Sequence, residues 1–181
     1  MTGGKSVGSL HKHLNVTLED MEMNDIIEHV RAMDGVLVLE PREGDGTPEI
    51  AWGDVFFYYA PDGAVPRSQP FATVVTKDYP DDTSSRLDRP GAFRVNVAAG
   101  ADEFRRWTGH GPEEPPAPQA APGADDAVAA HPVYAGLNWL AVVNPGPRTA
   151  EAVKELLAVA HDRARERSRR RARSGGGAHE R

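Results

Sequence analysis

Apolar residues recur along this chain in two periods. Met23, Ile26, Ile27, Val30 and Met33 fall at helical spacing. They predict a helix that begins near Asn24, a good N-cap, and stops at Gly35, which accepts φ > 0 without a Cβ clash. Val36 to Glu40 is a short strand. Pro41 to Pro48 is a turn-rich loop, and Ile50 to Tyr59 the next strand, interrupted at Gly53. The second half of that strand, VFFYY, is apolar on both faces, which marks a central strand. Pro61-Asp62-Gly63 carries turn chemistry and leads to Phe71–Lys77, rich in β-branched residues, as a hairpin partner. Phe93 to Ala98 alternates. Phe93, Val95 and Val97 share one face; Arg94, Asn96 and Ala98 share the other, a polar face expected to meet solvent.

Ala101 to Trp107 reads as a short amphipathic helix with acids in its first turn, where the macrodipole favours them. Gly109 to Asp126 holds five prolines and few large apolar groups, and reads as a flexible insertion. Structure resumes near Ala127. Trp139 to Val143 is the last strand, and Thr149 caps a final helix whose buried stripe is Val153, Leu156, Leu157, Ala160 and Ala164. Beyond Arg165 that stripe ends. The pattern therefore predicts one α+β domain over residues 20–165, with a mostly antiparallel five-stranded sheet and helices packed on one face. A disordered leader is expected over residues 1–19, a flexible Pro/Ala-rich insertion over 109–126, and a basic disordered tail over 166–181. Phe56, Tyr58, Val74, Val95, Leu140, Leu156 and Leu157 are the expected core.

Composition narrows the chemistry. At 181 residues and 39% apolar, the chain suits one core diluted by polar flanks. With no cysteine there is no disulfide, thiolate metal site or Cys nucleophile. No apolar run is long enough for a membrane helix and no signal-like segment opens the chain, so a cytoplasmic protein is expected. The net charge of −6 is uneven: residues 161–181 carry +5 and the remainder −11. An acidic body argues against a general nucleic-acid binder, and the arginine-rich end permits at most weak, salt-sensitive contact with nucleic acid.

Motifs that would name a reaction are missing. There is no phosphate-binding glycine loop, no G-x-S-x-G elbow and no EF-hand pattern. No metal or cofactor is expected. His11 and His13 form an H-K-H pair with too few companions for a metal site. The most chemical stretch is Lys77–Ser85. It reads as a polar site, with Lys77 facing an anionic group and Asp78 or Asp82 as acceptor or base, or as a solvated turn whose Asp, Thr and Ser cap backbone amides. His131, before Pro132 and near Tyr134 and Trp139, reads as a general base or as a packed, backbone-bonded histidine. Trp52 and the aromatic run Phe56 to Tyr59 line a pocket or fill a core.

The segments GDVFFYY, FATVVTK, FRVNVAAGADEFRRW, HPVYAGLNWLAVV and TAEAVKELLAVAHDRA together resemble the MmcQ/YjbR-like fold. The whole of residues 24–165 more closely resembles an uncharacterised actinobacterial family of unknown function, typified by E-I-x-W-G-D-x-F-F-Y-Y and T-K-D-Y-P-x-D-T-S. The first resemblance implies an antiparallel α+β sandwich and, for some members, DNA contact through sheet edges. The acidic body of this chain departs from that last property. The second resemblance implies no activity.

Two function classes remain. One is a non-catalytic binding or interaction module for a small molecule or protein. Its contact residues are drawn from Lys77, Asp78, Tyr79, Asp82, Arg94, Asn96, His131 and Trp139. The other is an enzyme for a small anionic substrate, which requires Lys77, Asp78 and His131 to converge. A weak DNA-binding protein of the MmcQ/YjbR-like type is the further alternative.

Overall fold

In the computed structural model, which describes residues 21–114 and 123–175, helix α1 (Met23–Arg31) is closed at its start by a reciprocal pair. The Glu22 side chain meets the third backbone amide of the helix while Asp25 accepts from the Glu22 amide at 3.1 Å, so the cap is Glu22 rather than Asn24. The helix ends before Gly35, whose role is different from the expected stop. At φ 66° it turns the chain into β1 (Val36–Leu39), and a Cβ there would lie 2.8 Å from Tyr59 Cε2. The expected strand from Ile50 starts late. Glu49–Ala51 is a 3₁₀ turn, Gly53 reverses the backbone at φ 84°, and β2 runs only over Val55–Tyr59.

The remaining elements are β3 (Ala72–Val75), β4 (Arg94–Ala98), α2 (Ala101–Thr108), β5 (Val128–Ala130), β6 (Trp139–Val143) and α3 (Ala150–Gly175). The sheet has six strands, one more than the pattern predicts, in the order β1-β2-β3-β4-β6-β5, and every neighbour is antiparallel. The strand the pattern misses is β5. It has three small residues, and pairing with β6 defines it better than its own propensity does.

One face of the sheet is the core. Val55 and Phe57, Ala72 and Val74, Val95 and Val97, and Leu140 and Val142 point into it. All three helices cover it, through Ile26, Ile27 and Val30, through Phe104, and through Val153, Leu156, Leu157 and Ala160. Of the expected core, Val74, Val95, Leu140, Leu156 and Leu157 are there. Phe56 and Tyr58 are not: β2 is turned by one residue, so Val55 and Phe57 are buried and Phe56 and Tyr58 are half-buried on the opposite face.

The insertion and the tail also depart from expectation where they are described. Asp126, assigned to the flexible insertion, holds the start of α3. Its carboxylate accepts from the Gly146 and Thr149 amides and the Thr149 hydroxyl at 2.6 to 3.0 Å, and from the Arg148 amide at 3.1 Å. Burial alone would raise this carboxyl, but these bonds bring it down to about 2. Thr149 therefore donates to a capping carboxylate. At the other end, α3 continues past Arg165 to Gly175. Alanine and arginine are good helix formers, Glu166 pairs with Arg170 one turn on, and cations suit a helix C-terminus. The leader with His11 and His13, and residues 115–122 and 176–181, lie outside the described residues.

Candidate functional site: a cleft on the second face of the sheet

The face opposite the core carries Phe56, Thr73, Val75, Arg94, Asn96 and Trp139. The pattern expects this face in solvent. It is covered instead, because the long connection after β3 folds back over one side. Leu87, 2% exposed, packs there with Val75, Ala92 and Val143. Asp78 secures that fold-back by accepting from the Leu87 amide at 2.8 Å, while its own amide donates to Asp88 at 3.0 Å. The segment from His131 to Trp139 rises on the other side. Between the two lies a cleft of about 570 Å³. Phe56, Tyr79, Val133, Tyr134 and Trp139 form its walls and Thr73, Arg94, Asn96 and His131 its polar floor. Ile50, Val133 and Tyr134 leave an exposed apolar mouth.

The floor is a relay of paired groups. Arg94 and Asn96 are each 2% exposed, which corrects the expectation of a solvated polar face. Arg94 donates through Nε to Asn96 at 2.7 Å, through Nη1 to Ser85 at 2.8 Å, and through both terminal nitrogens to Asp82 at 2.5 and 3.0 Å. A buried guanidinium survives in this position because a forked carboxylate and two neutral acceptors replace its water. Burial pushes the Asp82 carboxyl up, and the Arg94 hydrogen bonds and charge more than offset that, so it stays ionised below the usual range. Asn96 donates onward to Thr73 Oγ1 at 3.0 Å. Thr73 thus accepts inside the relay and keeps its own hydroxyl proton for the cleft.

His131, 3% exposed, ends the relay. The amides of Val133 and Tyr134 each donate to its Nδ1 at 3.1 Å. Burial first, then the Arg94 charge, lower it to about 4 against a smaller opposing pull from Asp82, so the ring is neutral near pH 7. A neutral imidazole with two donors at Nδ1 carries its proton on Nε2. Nε2 lies 3.3 Å from Arg94 Nη2, a donor beside a donor. His131, Tyr134 and Trp139 also cluster as rings, with centroids 4.8 to 6.3 Å apart.

A second network anchors Tyr79. Asp54, which follows the break at Gly53, is 1% exposed. It accepts from the Thr76 amide at 2.9 Å, the Thr76 hydroxyl at 3.1 Å, Lys77 Nζ at 3.2 Å and the Tyr79 hydroxyl. Burial and the Asp54 carboxylate hold the Tyr79 phenol proton on well above the usual tyrosine range. Lys77 Nζ also donates to the Trp52 carbonyl at 2.7 Å.

The residues singled out by sequence therefore separate. Tyr79, Asp82, Arg94, Asn96, His131 and Trp139 line the cleft; Lys77 and Asp78 do not. Lys77 and His131 belong to different networks, and Asp78 serves the loop. Sequence reasoning missed Thr73, Tyr134 and Asp54 in these roles. The signal for Asp54 was an acid beside Gly53 immediately before a central strand. Among the described residues no group of three or more His, Asp or Glu side chains could hold a metal ion, and no helix is long and apolar enough to cross a membrane.

A family model matches residues 21–173, which include every residue of the cleft. The chain belongs to the DUF6194 family, a family of unknown function. No curated protein and no solved structure matches this DUF6194 chain. The cleft of the DUF6194 domain thus has to be understood from its own geometry.

Proposed function

We propose that this protein is a small-molecule-binding module whose site is the cleft on the second face of the sheet. The observation that carries this reading is the cleft itself: about 570 Å³, aromatic walls and a polar floor whose Arg94–Asn96–Thr73 relay is internally bonded while the Thr73 hydroxyl proton and His131 Nε2–H stay open to the cleft. Binding sites for small ligands commonly occupy about 300–1,000 Å³ with apolar linings and a few placed polar groups. The ligand it suits has a flat apolar body and an acceptor at its buried end, met by His131 Nε2–H and the Thr73 hydroxyl. An enzyme acting through Lys77, Asp78 and His131 is poorly supported, since Lys77 is held by Asp54 and the Trp52 carbonyl and Asp78 by Leu87. The helices-on-one-face layering accords with kinship to MmcQ/YjbR-like folds. DNA contact through sheet edges is less favoured, given the acidic body and the three-residue edge strand β5.

A thermal-shift and native mass-spectrometry screen of small aromatic compounds against the full chain tests the proposal. Tyr134→Ala and Thr73→Val serve as comparison chains. Tyr134 is 49% exposed, so its removal leaves the fold intact. Hits that weaken on both substitutions support the cleft. Hits indifferent to both place the ligand elsewhere and defeat the reading.

A further inference from the structure

A second cavity of about 330 Å³ adjoins the cleft, and Gln69, Pro70 and Trp139 line both. Its far wall is α3, which presents Arg163, Arg167 and Arg171 one turn apart, about 6 Å per step along the axis. No acidic residue lines this annex. Neighbouring Arg165 and Arg170 have partners in Asp162 and Glu166. Arg163, Arg167 and Arg171 have no ion-pair partner among the described residues. Three like charges on one helix face repel one another, and burial together with Arg163 and Arg171 makes the charge on half-buried Arg167 harder to hold.

The annex is shaped as well as charged. Gly100, at φ 85°, leaves the space that the Arg163 guanidinium fills; a Cβ there would lie 2.3 Å from Arg163 Cζ. Asn138, also in the left-handed region at φ 60°, lines the same cavity, and its Oδ1 is buried with no hydrogen-bond partner. An unmet acceptor and three unpaired guanidinium groups call for a ligand that brings both donors and negative charge. Guanidinium groups are well matched to phosphate, which they bind through paired, charge-assisted hydrogen bonds.

We infer that the cleft and the annex form one site for a phosphorylated ligand bearing a flat ring, a molecule of the nucleotide class. The ring lies among Phe56, Tyr134 and Trp139, hydroxyl groups meet Asn138, and phosphates rest on Arg163, Arg167 and Arg171. This inference rests on the reading of the cleft as a small-molecule site.

The test is calorimetric titration of the full chain with ADP, GDP, CDP and UDP, with the four corresponding nucleosides, and with pyrophosphate. Each series is run at low salt and at about 0.15 M, where the Debye length is about 8 Å. At least one nucleotide is expected to bind about tenfold or more tightly than both its nucleoside and pyrophosphate. In the triple substitution Arg163→Ala, Arg167→Ala, Arg171→Ala that nucleotide falls to the affinity of its nucleoside. Nucleoside affinity and melting temperature stay as in the native chain, and salt weakens the nucleotide and pyrophosphate but not the nucleoside. Equal affinity for nucleotide and nucleoside, or a triple variant that binds the nucleotide unchanged, overturns the inference and leaves the cleft standing. Pyrophosphate binding as tightly as the nucleotide overturns it as well, since the arginine row then acts alone. If no probe binds while uncharged aromatic compounds do, only the nucleotide inference falls; if neither binds, both readings fall.

Discussion

Acidification should destabilise this protein through one side chain well before its carboxylates titrate. His131 is 3% exposed, with Nδ1 accepting two amides and the Arg94 guanidinium 3.3 Å from Nε2. In the folded chain it titrates at about 4 instead of the ordinary 6.5. The sign follows from proton binding. Between those values the unfolded chain holds a proton that the folded chain lacks, so stability is fully present above 6.5 and is lost as pH falls toward 4. Between pH 8 and pH 5 the linkage relation gives a loss of about 2 kcal/mol, from a full difference of about 3 kcal/mol. The assay is urea denaturation followed by tryptophan fluorescence at pH 8, 7, 6 and 5, on the native chain and on His131→Asn. Asparagine keeps an oxygen for the Val133 and Tyr134 amides but has no titration. The difference between the two chains should shrink by about 2 kcal/mol across that range. Parallel stability profiles would refute the reasoning, because they would show that His131 charges equally well in both states.

Three further outcomes follow from the packing and the hydrogen bonds. Asp54→Ala removes the acceptor of Lys77, Thr76 and Tyr79 together and should cost about 3–5 kcal/mol in urea denaturation; a loss below about 1 kcal/mol would sink the account of that network. Asp126→Ala should cost about 1–2 kcal/mol, and it should reduce the stability that the native chain loses as pH falls from the ordinary carboxylate range toward 2, with Asp82 and Asp125 supplying the remainder. Adjacent phenylalanines should behave differently: Phe57→Ala costs about 3–5 kcal/mol, whereas Phe56→Ala costs clearly less and weakens cleft ligands. Equal costs would mean that the facing of β2 is wrong.

The helices and most of the sheet were legible because their periods are clean. The core residues of α3 and β4 read directly from spacing. The facing of β2 did not, since VFFYY is apolar at every position and period 2 has nothing to alternate. The floor of the cleft was hidden for the opposite reason. Arg94 and Asn96 alternate perfectly with Val95 and Val97, so the pattern says polar face, hence solvent. What covers that face is a loop held down by Leu87 and Asp78, and hydropathy of a strand carries no record of a loop that returns to it. The tyrosine and histidine of the cleft were visible as chemical residue types. Their separation from Lys77 was not, because Asp54 acts on Lys77 from 23 positions away in sequence. Helix α3 ran on past its apolar stripe because propensity and i,i+4 pairing sustained it without burial.

The order of the elements matters for how the chain is made. Synthesis proceeds from α1 through the strands, and α3, the element that packs on β2 and β4, emerges after β6. The meander β1-β2-β3-β4 pairs locally and can form early, so a ribosome displays a sheet whose apolar face is covered only in part, by α1, before α3 arrives. Nascent chains halted near Asn144 should therefore be chaperone clients or aggregate, and release of the final helix is the moment at which the protein becomes independent of such help.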